Sequence, residues 1–428
     1  MAAHLPLRVL AALLAGLTAV GAAGCSGDQQ SGASPSDDAS KALSSQSPDV
    51  SGDEASPESA IRDELRALLE RRAAAMKAGD RKAFLADIAP KAERRRAGAW
   101  FNALGQLPVR FVGFELGNRH TSGVPAGHYV ADVEQSVQLG NGFDPTPLPI
   151  DPVYEFAQQD GVWRVVRDRA DPETVTTEFW RLRDVDIRVQ DSSITASSGL
   201  SSADSQALAE STTAALAIID ELVPYRWSRR PVVLAADTPR LLASEGLDPS
   251  ELNQAGGLNF PIRGADESVV GFRAALGPLA FEGSRAGLTK IVTHELAHLA
   301  IGKHDAAAQP WLAEGIAEYV AQGGPSGLDS WQSAIDAARA GKLTHMPLHD
   351  DFYLGDWGES YGVAVAGVTW LGRTHGADAP FNLLNRLNRA RGATSREQEA
   401  VLQKMYDVSF DELARHGQEL ILDAYGRS

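Results

Sequence analysis

The stretch VTHELAHLA, residues Val292–Ala300, limits what this chain can fold into more than any other part of its 428 residues. Two histidines stand four positions apart in it, and Glu295 directly follows the first of them. On a helix, residues four apart lie on one face with about 6 Å between their Cβ atoms, so His294 and His298 can both bind one metal ion. A helix whose histidines pack or face solvent has the same letters, so the rest of the chain must distinguish the two cases.

The residues on either side predict the helix that carries this stretch. Ser284 is a favourable N-cap residue, and Gly302 is a good C-terminal stop. Between them, Leu288, Val292 and Leu299 recur at helical spacing. We therefore expect one helix from about Ser284 to Gly302, with both histidines on it.

A second helical segment, QPWLAEGIAEYVA (Gln309–Ala321), supplies a third candidate ligand. Its apolar residues recur at helical spacing, and Pro310 suits a first-turn position. A glutamate on this helix would complete a set of two histidines and one carboxylate, and catalytic zinc sites use three protein ligands plus water. The candidates are Glu314 and, one turn later, Glu318.

HELAH followed by WLAEGIAEY resembles the gluzincin metallopeptidases, the peptidase MA-like clan that contains thermolysin and aminopeptidase N. In that clan the glutamate of the W-L-x-E-G-x-A segment binds zinc, which implies one Zn²⁺ per chain held by His294, His298 and Glu314. Fifteen residues separate His298 from Glu314, a few fewer than in aminopeptidase N-type enzymes, and Glu318 is the fallback ligand. The resemblance runs from about Ile291 to Ile421.

Three more side chains are expected at this site. Glu295 lies beside the metal rather than on it and can accept a proton from the attacking water. Glu318 either accepts the second N–H of a ligand histidine or lies on a solvated face. The segment GESYGVAVAGVTWLGRTHG resembles a later helix of the family and makes Tyr361 the candidate oxyanion donor, although a core tyrosine bonded to backbone fits as well. The other downstream histidines, expected to be structural or exposed, are His304, His345, His349 and His375.

The N-terminus predicts export. In MAAHLPLRVLAALLAGLTAVGAAGC, Arg8 precedes an apolar run that is shorter than the about 20 residues needed to cross a bilayer and is typical of a signal peptide. The closing AAGC resembles a bacterial lipobox, with Ala22 where leucine is commoner. This resemblance implies cleavage before Cys25 and lipidation of its thiol; a plain secreted protein with an incidental cysteine is the alternative. A single cysteine excludes an intramolecular disulfide.

Composition divides the chain into four parts. Residues 1–24 are the predicted lipoprotein signal peptide, and residues 25–58 are the lipidated cysteine and a disordered tether rich in Ser, Gly, Asp and Pro. Residues 59–190 are a predicted accessory domain, and residues 200–428 are the metallopeptidase-like domain. The polar stretch Gln190–Gln206 predicts a linker or long loop between the two.

The accessory domain is expected to be α+β. Two helices, the first ended by Gly79, precede strand-like stretches, and QDG between two apolar runs predicts a hairpin. The order of elements resembles the cone-shaped fold of nuclear transport factor and ketosteroid isomerase. His120 and His128 lie near turn residues and form no acid/base set. We therefore expect a binding, dimerising or spacing role here.

The second domain is expected to be mixed α/β at first and then mainly helical, as in the zincins. RPVVLAAD and ESVVGFRAAL predict strands, and two further helices close the chain. Thermolysin-like enzymes hold their substrate as an added strand along a sheet edge. The stretch SVVGFRAAL is a candidate for that edge, or else an interior strand.

These patterns together predict an enzyme outside the cytoplasm. A net charge of −16 disfavours nucleic acid as a partner. We expect a lipid-anchored zinc metallopeptidase on the extracytoplasmic face of the cell membrane, acting on a peptide or protein substrate. A non-catalytic lipoprotein module with a degenerate peptidase-like domain and a ligand-binding cone-like domain are the alternatives. The presence of all four of His294, Glu295, His298 and Glu314 favours the enzyme, and the sequence does not distinguish endopeptidase from exopeptidase.

Overall fold

The computed structural model describes residues 57–170, 179–182, 184–238, 242, 247, 256–266, 268–304, 308–349, 351–390 and 394–426. The predicted signal peptide, Cys25 and nearly all of the predicted tether lie outside the described residues. Within these ranges, none of the helices has the length and hydropathy needed to cross a bilayer. The chain is α+β and contains one antiparallel sheet and one mixed sheet.

The N-terminal part (residues 57–170) consists of helices followed by an antiparallel sheet in the order β1-β2-β4-β5, with β3 paired to β2. The predicted hairpin is present, and its turn residues Asp160 and Gly161 both have positive φ, as the tight turns of two-residue hairpins require. The element between Lys91 and Leu104 was not predicted. The elements are α1 (Pro57–Ala78), α2 (Arg81–Ala86), α3 (Lys91–Leu104), β1 (Val109–His120), β2 (His128–Leu139), β3 (Leu148–Ile150), β4 (Pro152–Gln159) and β5 (Val162–Ala170).

The C-terminal part (described residues between 184 and 426) contains the mixed sheet and most of the helices. Its strand order is β6-β7-β8-β10-β9, with parallel pairs in the middle and antiparallel pairs at both edges. The elements are β6 (Val185–Val189), β7 (Ile194–Ser198), α4 (Ser202–Leu222), β8 (Val232–Ala236), β9 (Gly257–Arg263), β10 (Val269–Leu276), α5 (Arg285–Ile301), α6 (Pro310–Ala321), α7 (Gln332–Arg339), α8 (Asp351–Leu354), α9 (Trp357–His375), α10 (Ala379–Arg389), α11 (Ser395–Tyr406) and α12 (Phe410–Tyr425).

The stretch Gln190–Gln206 is not a linker: it contains β7 and the start of α4. All five residues of β7 are buried between β6 and β8, although three of them carry hydroxyl groups. The Ser197 hydroxyl lies 2.7 Å from that of Ser205 on α4, so at least one of these groups is bonded inside the protein. The sequence pattern indicated a polar loop because β7 is rich in Ser and Thr. In the fold, hydroxyl groups of this strand can form hydrogen bonds inside the protein, so the strand can be buried.

The edge of the mixed sheet nearest to α5 is β9, so SVVGFRAAL takes the second of its two predicted positions, that of an interior strand. That stretch forms β10, which lies between β8 and β9. Pro261 explains why β9 takes the outer position, because a residue without an N–H group is tolerated on an edge strand. Among the described residues β9 pairs with β10 alone, so its second edge is unpaired.

The two parts share one apolar core. Leu234 of β8 and Phe260 of β9 are buried in the same cluster as Trp100 and Phe114 of the N-terminal part. The opposite face of the mixed sheet is covered by α4 and α5, and α5 packs in turn against α6. The N-terminal part therefore lies directly against the sheet that supports α5.

A buried ion pair fixes this contact. Arg273 of β10 donates to the Asp144 carboxylate at 2.9 Å, and the two side chains are 7% and 1% exposed. Asp144, just after β2, also accepts the backbone N–H of Leu139 at 2.8 Å. Replacing one member of such a pair is costly because the other charge stays buried.

We expect Asp144→Asn to lower the free energy of unfolding by about 3–5 kcal/mol, because it removes the charge that the buried Arg273 guanidinium faces. Urea denaturation followed by circular dichroism measures this change. Asp220→Asn is the control: its pair with Arg229 is exposed, and such pairs contribute about 0–1 kcal/mol. Equal effects of the two substitutions would contradict the role given to Asp144.

Candidate metal centre

The bounds of α5 are those predicted from the sequence. The Ser284 hydroxyl accepts the Gly287 N–H at 3.1 Å and caps the first turn. Gly302 ends the helix with a φ of 53°, in the positive region that favours glycine. One face of α5, including Leu288 and Leu296, is buried in the core, which leaves the two histidines on a partly exposed face.

Helix α6 brings the third candidate ligand to that face. It begins at Pro310, as predicted, and packs against both α5 and α9. A Cβ at Gly315 would lie 2.8 Å from Val368 Cγ2 and 3.1 Å from the Ala364 carbonyl oxygen, so only glycine allows α6 to approach α9 this closely. This approach holds Glu314, the preceding residue, against the histidines of α5.

The three predicted ligands meet at one point. His294 Nε2 lies 3.2 Å from His298 Nε2, and Glu314 Oε2 lies 3.3 Å and 3.5 Å from these two nitrogens. Ligand bonds of about 2.0–2.1 Å in tetrahedral directions put donor atoms about 3.3–3.4 Å apart. The triangle therefore has the size of one face of a tetrahedral metal site, and this group can hold a metal ion. The ligand side chains are 12–18% exposed, so the site is partly open to solvent.

The three ligand groups are held together by charge. Burial alone would lower the pKa of His294, but hydrogen bonds with Glu314 and Glu318 raise it well above the ordinary value. Burial would raise the pKa of Glu314, but hydrogen bonds with His294 and His298 lower it strongly. Both pKa shifts favour a carboxylate that faces a protonated imidazole, and a divalent cation can take the place of that positive charge.

The Glu318 carboxylate lies beside Nδ1 of His294, the ring nitrogen that faces away from the ligand triangle. Its Oε1 is 3.1 Å from His294 Nδ1, and Lys290 lies 3.4 Å from its Oε2. Gln322 donates to the same Oε2 at 3.1 Å. Glu314 rather than Glu318 belongs to the ligand triangle, and Glu318 is in position to fix the orientation of the His294 ring.

Glu295 is buried beside the triangle and is held by the edge strand. The Asn259 side chain of β9 donates to Glu295 Oε2 at 2.7 Å and to the Glu295 backbone carbonyl at 3.0 Å. A Cβ at Gly257 would lie 2.8 Å from Glu295 Cγ, so glycine there makes room for the carboxylate. Burial raises the pKa of Glu295 above its ordinary value.

Two tyrosines donate to the carboxylate of Glu314. The Tyr361 hydroxyl of α9 donates to Oε2 at 3.0 Å, and the Tyr353 hydroxyl of α8 donates to Oε1 at 3.1 Å. Tyr361 therefore reaches the centre rather than a backbone group. Burial, followed by the Glu314 charge, raises the pKa of Tyr361 well above its ordinary value and keeps it a donor.

Asn259 and Tyr353 were missed by the sequence reasoning. Asn259 had a usable signal, since Leu258, Phe260 and Ile262 alternate as in a strand and Pro261 favours an edge. Tyr353 lies in a four-residue helix and had none.

The other histidines among the described residues contact side chains outside the ligand triangle. His304 stacks on Tyr225, with ring centroids 4.0 Å apart. The other pairs are His120 with Asp132, His128 with Glu155, His345 with Asp411, His349 with Ser395, His375 with Tyr406, and His416 with Glu419. None of these histidines belongs to the metal-ligand group found among the described residues.

No protein-family model and no curated protein matches the chain. A solved structure of a protein of unknown function from Mycobacterium tuberculosis is similar to part of it. The two chains are 18% identical, and the match covers 27% of this chain and 74% of the other with a TM-score of 0.22. Similarity at this level assigns neither fold nor function.

We expect Zn²⁺ binding at pH 7 to release about one proton per ion, because the protonated His294 must lose its proton before it can bind a metal. The affinity should fall as the pH is lowered, since protons then compete for the same nitrogen. Isothermal titration calorimetry in buffers of different ionisation enthalpy measures both quantities. His345→Ala, a change at an exposed histidine, should leave them unaltered. Proton release near zero, or binding kept in His294→Ala, would contradict this account.

Proposed function

We propose that the protein is a zinc metallopeptidase of the gluzincin type. The observation that carries this proposal is the combination of a ligand triangle of tetrahedral size with a separate buried carboxylate, Glu295, beside it. Two histidines and one carboxylate are a known ligand set for hydrolytic zinc, and a neighbouring carboxylate outside the set suits a base.

The chain would hold zinc with His294, His298 and Glu314. Zinc bound there supplies a Lewis acid that acidifies water and polarises a carbonyl oxygen. The Glu295 carboxylate takes one proton from the attacking water as the water oxygen bonds to the peptide carbonyl carbon. Glu295 then delivers that proton to the leaving nitrogen as the carbon–nitrogen bond breaks. Water is consumed, and one carboxyl and one amino terminus are formed.

Tyr361 has a second task in this proposal. Its phenol donates to Glu314 Oε2, the oxygen that also faces both histidines. With zinc held by the ligand triangle, this phenol would be in position to donate to the substrate oxygen as negative charge develops there. Tyr353, bonded to the other oxygen of the same carboxylate, keeps Glu314 in its orientation.

The outer edge of β9, which pairs with no other described strand, suits an extended peptide. A substrate added there as a further strand would pass Asn259, which holds Glu295, and would place a peptide bond beside the ligand triangle. Pro261 offers no N–H group, so hydrogen bonds to the substrate would come mainly from the Gly257–Phe260 side of the strand.

The remaining parts of the proposal concern location and layout. We propose a signal peptide and lipidation at Cys25, which hold the folded part on the extracytoplasmic face of the cell membrane. The N-terminal part, helices followed by an antiparallel sheet, is proposed to be a cone-like accessory domain. It supports the peptidase sheet through the Arg273–Asp144 pair.

The direct test of this function is Glu295→Gln. We expect it to reduce peptide hydrolysis by about 10²–10⁴-fold, because glutamine has the same shape but cannot take a proton. Zinc content should stay at the wild-type value, since Glu295 is outside the ligand triangle. A fluorogenic peptide library measures the first, and mass spectrometry of bound metal measures the second. Glu115→Gln, an exposed change on β1, is the control; undiminished hydrolysis in Glu295→Gln would exclude the proposed base.

The two tyrosines should differ when each is changed to phenylalanine. Tyr361→Phe should lower kcat by about 10²–10³-fold with zinc affinity nearly kept, as expected for loss of an oxyanion donor. Tyr353→Phe should weaken zinc binding by about 10–100-fold and leave kcat at saturating zinc nearly unchanged. Zinc titrations and steady-state kinetics separate the two effects. Identical behaviour of both variants would contradict the division of roles.

A further inference from the structure

The connection between α8 and α9 carries an exposed apolar surface. Leu354 is 61% exposed and Trp357 is 54% exposed, the highest values for large apolar side chains among the described residues. Tryptophan is usually well buried, and exposed apolar surface often marks a binding site, so the exposure of Leu354 and Trp357 indicates a candidate contact with a ligand.

This surface is continuous with the candidate metal centre. The Trp357 ring lies 6.3 Å from that of Tyr361, and the Trp331 ring lies 5.6 Å from it, measured between centroids. Trp331 and Trp357 also pack edge to face at 5.8 Å. Tyr361 itself donates to Glu314, so a single side chain separates the metal ligand from the two indoles.

Helix α8 connects the same two places from its other end. Tyr353 points inward and donates to Glu314, whereas its neighbour Leu354 is exposed. Trp331 and Trp357 therefore lie one side chain away from the centre, and Leu354, three residues before Trp357, is a further exposed apolar side chain. These three residues offer apolar surface to a molecule held at the ligand triangle. We call this the aromatic platform.

Two charged groups next to the platform, Lys290 and Asp356, are already engaged. Lys290 lies 5.2 Å from the Trp331 ring centroid and is itself paired with Glu318 and Asp329. One Asp356 carboxylate oxygen accepts the Ser333 hydroxyl and also caps α9. Lys290 already lies over the Trp331 indole, and the Asp356 carboxylate already accepts hydrogen bonds. The platform therefore offers a ligand mainly apolar area.

We propose that the aromatic platform binds a large apolar side chain of a peptide held at the metal centre, and that the enzyme therefore prefers aromatic or large aliphatic residues near the bond it cuts. The inference rests on the proposed peptidase function for the position of the peptide. A hydrophobic site of this kind discriminates between a large and a small side chain by about 10–200-fold.

The test uses peptides of one neutral sequence that differ at a single position, occupied by Phe, Leu, Ala or Arg. For the wild-type protein we expect kcat/KM to be about 10–100-fold higher for the Phe and Leu peptides than for the Ala and Arg peptides. Trp357→Ala should reduce this ratio to within about threefold of one. Leu354→Ala should reduce it in part. Phe111→Ala removes another exposed aromatic side chain, on β1, and should leave the ratio at the wild-type value.

Failure of this inference differs from failure of the peptidase proposal. Equal cleavage of all four peptides, preference for the Arg peptide, or an unchanged ratio in Trp357→Ala would overturn the platform and leave the peptidase intact. If the zinc-loaded protein cuts none of them, the peptidase proposal fails, and calorimetric binding of the Phe and Ala peptides decides the platform alone. Tighter binding of the Phe peptide that is lost in Trp357→Ala supports it; equal binding overturns it.

Discussion

The carboxylate of Glu314 is the point on which the candidate centre depends. The imidazoles of His294 and His298 lie against Oε2 of this carboxylate. The Tyr361 phenol donates a hydrogen bond to Oε2, and the Tyr353 phenol donates one to Oε1. A buried carboxylate is costly without such partners, and four of them come from three helices, α5, α8 and α9. Gly315 makes this convergence sterically feasible, because it lets α6 lie directly on α9. The close packing of α6 on α9 is therefore also what brings Glu314 to its four partners.

The sheet provides the other half of the arrangement. Glu295 is oriented by Asn259 on β9, and β9 is held in place by β10. On β10, Arg273 is paired with Asp144 of the N-terminal part across the shared core. A continuous line of contacts thus runs from the N-terminal part to the candidate base. We propose that the N-terminal part helps to hold the candidate base Glu295 in position.

The sequence predicted what local rules determine. Helix α5 was predicted with its bounds because Ser284 and Gly302 act on the turns next to them. The ligand triangle followed from spacing within α5 together with the resemblance that pointed to Glu314. The sequence did not predict that Asn259 and Tyr353 lie at the centre, because their positions depend on how distant segments pack. The buried strand within Gln190–Gln206 was mistaken for a linker, because the bonding of its hydroxyl groups is visible only in the fold.

X-ray absorption at the zinc edge, on full-length protein purified without chelator, tests the central claim most directly. We expect one zinc per chain with two imidazole nitrogens and oxygen ligands at about 2.0–2.1 Å, in four- or five-fold coordination. We also expect the imidazole signal to be halved in His298→Ala. Protein that contains no zinc, or zinc surrounded by oxygen alone and unaffected by His298→Ala, would contradict this claim.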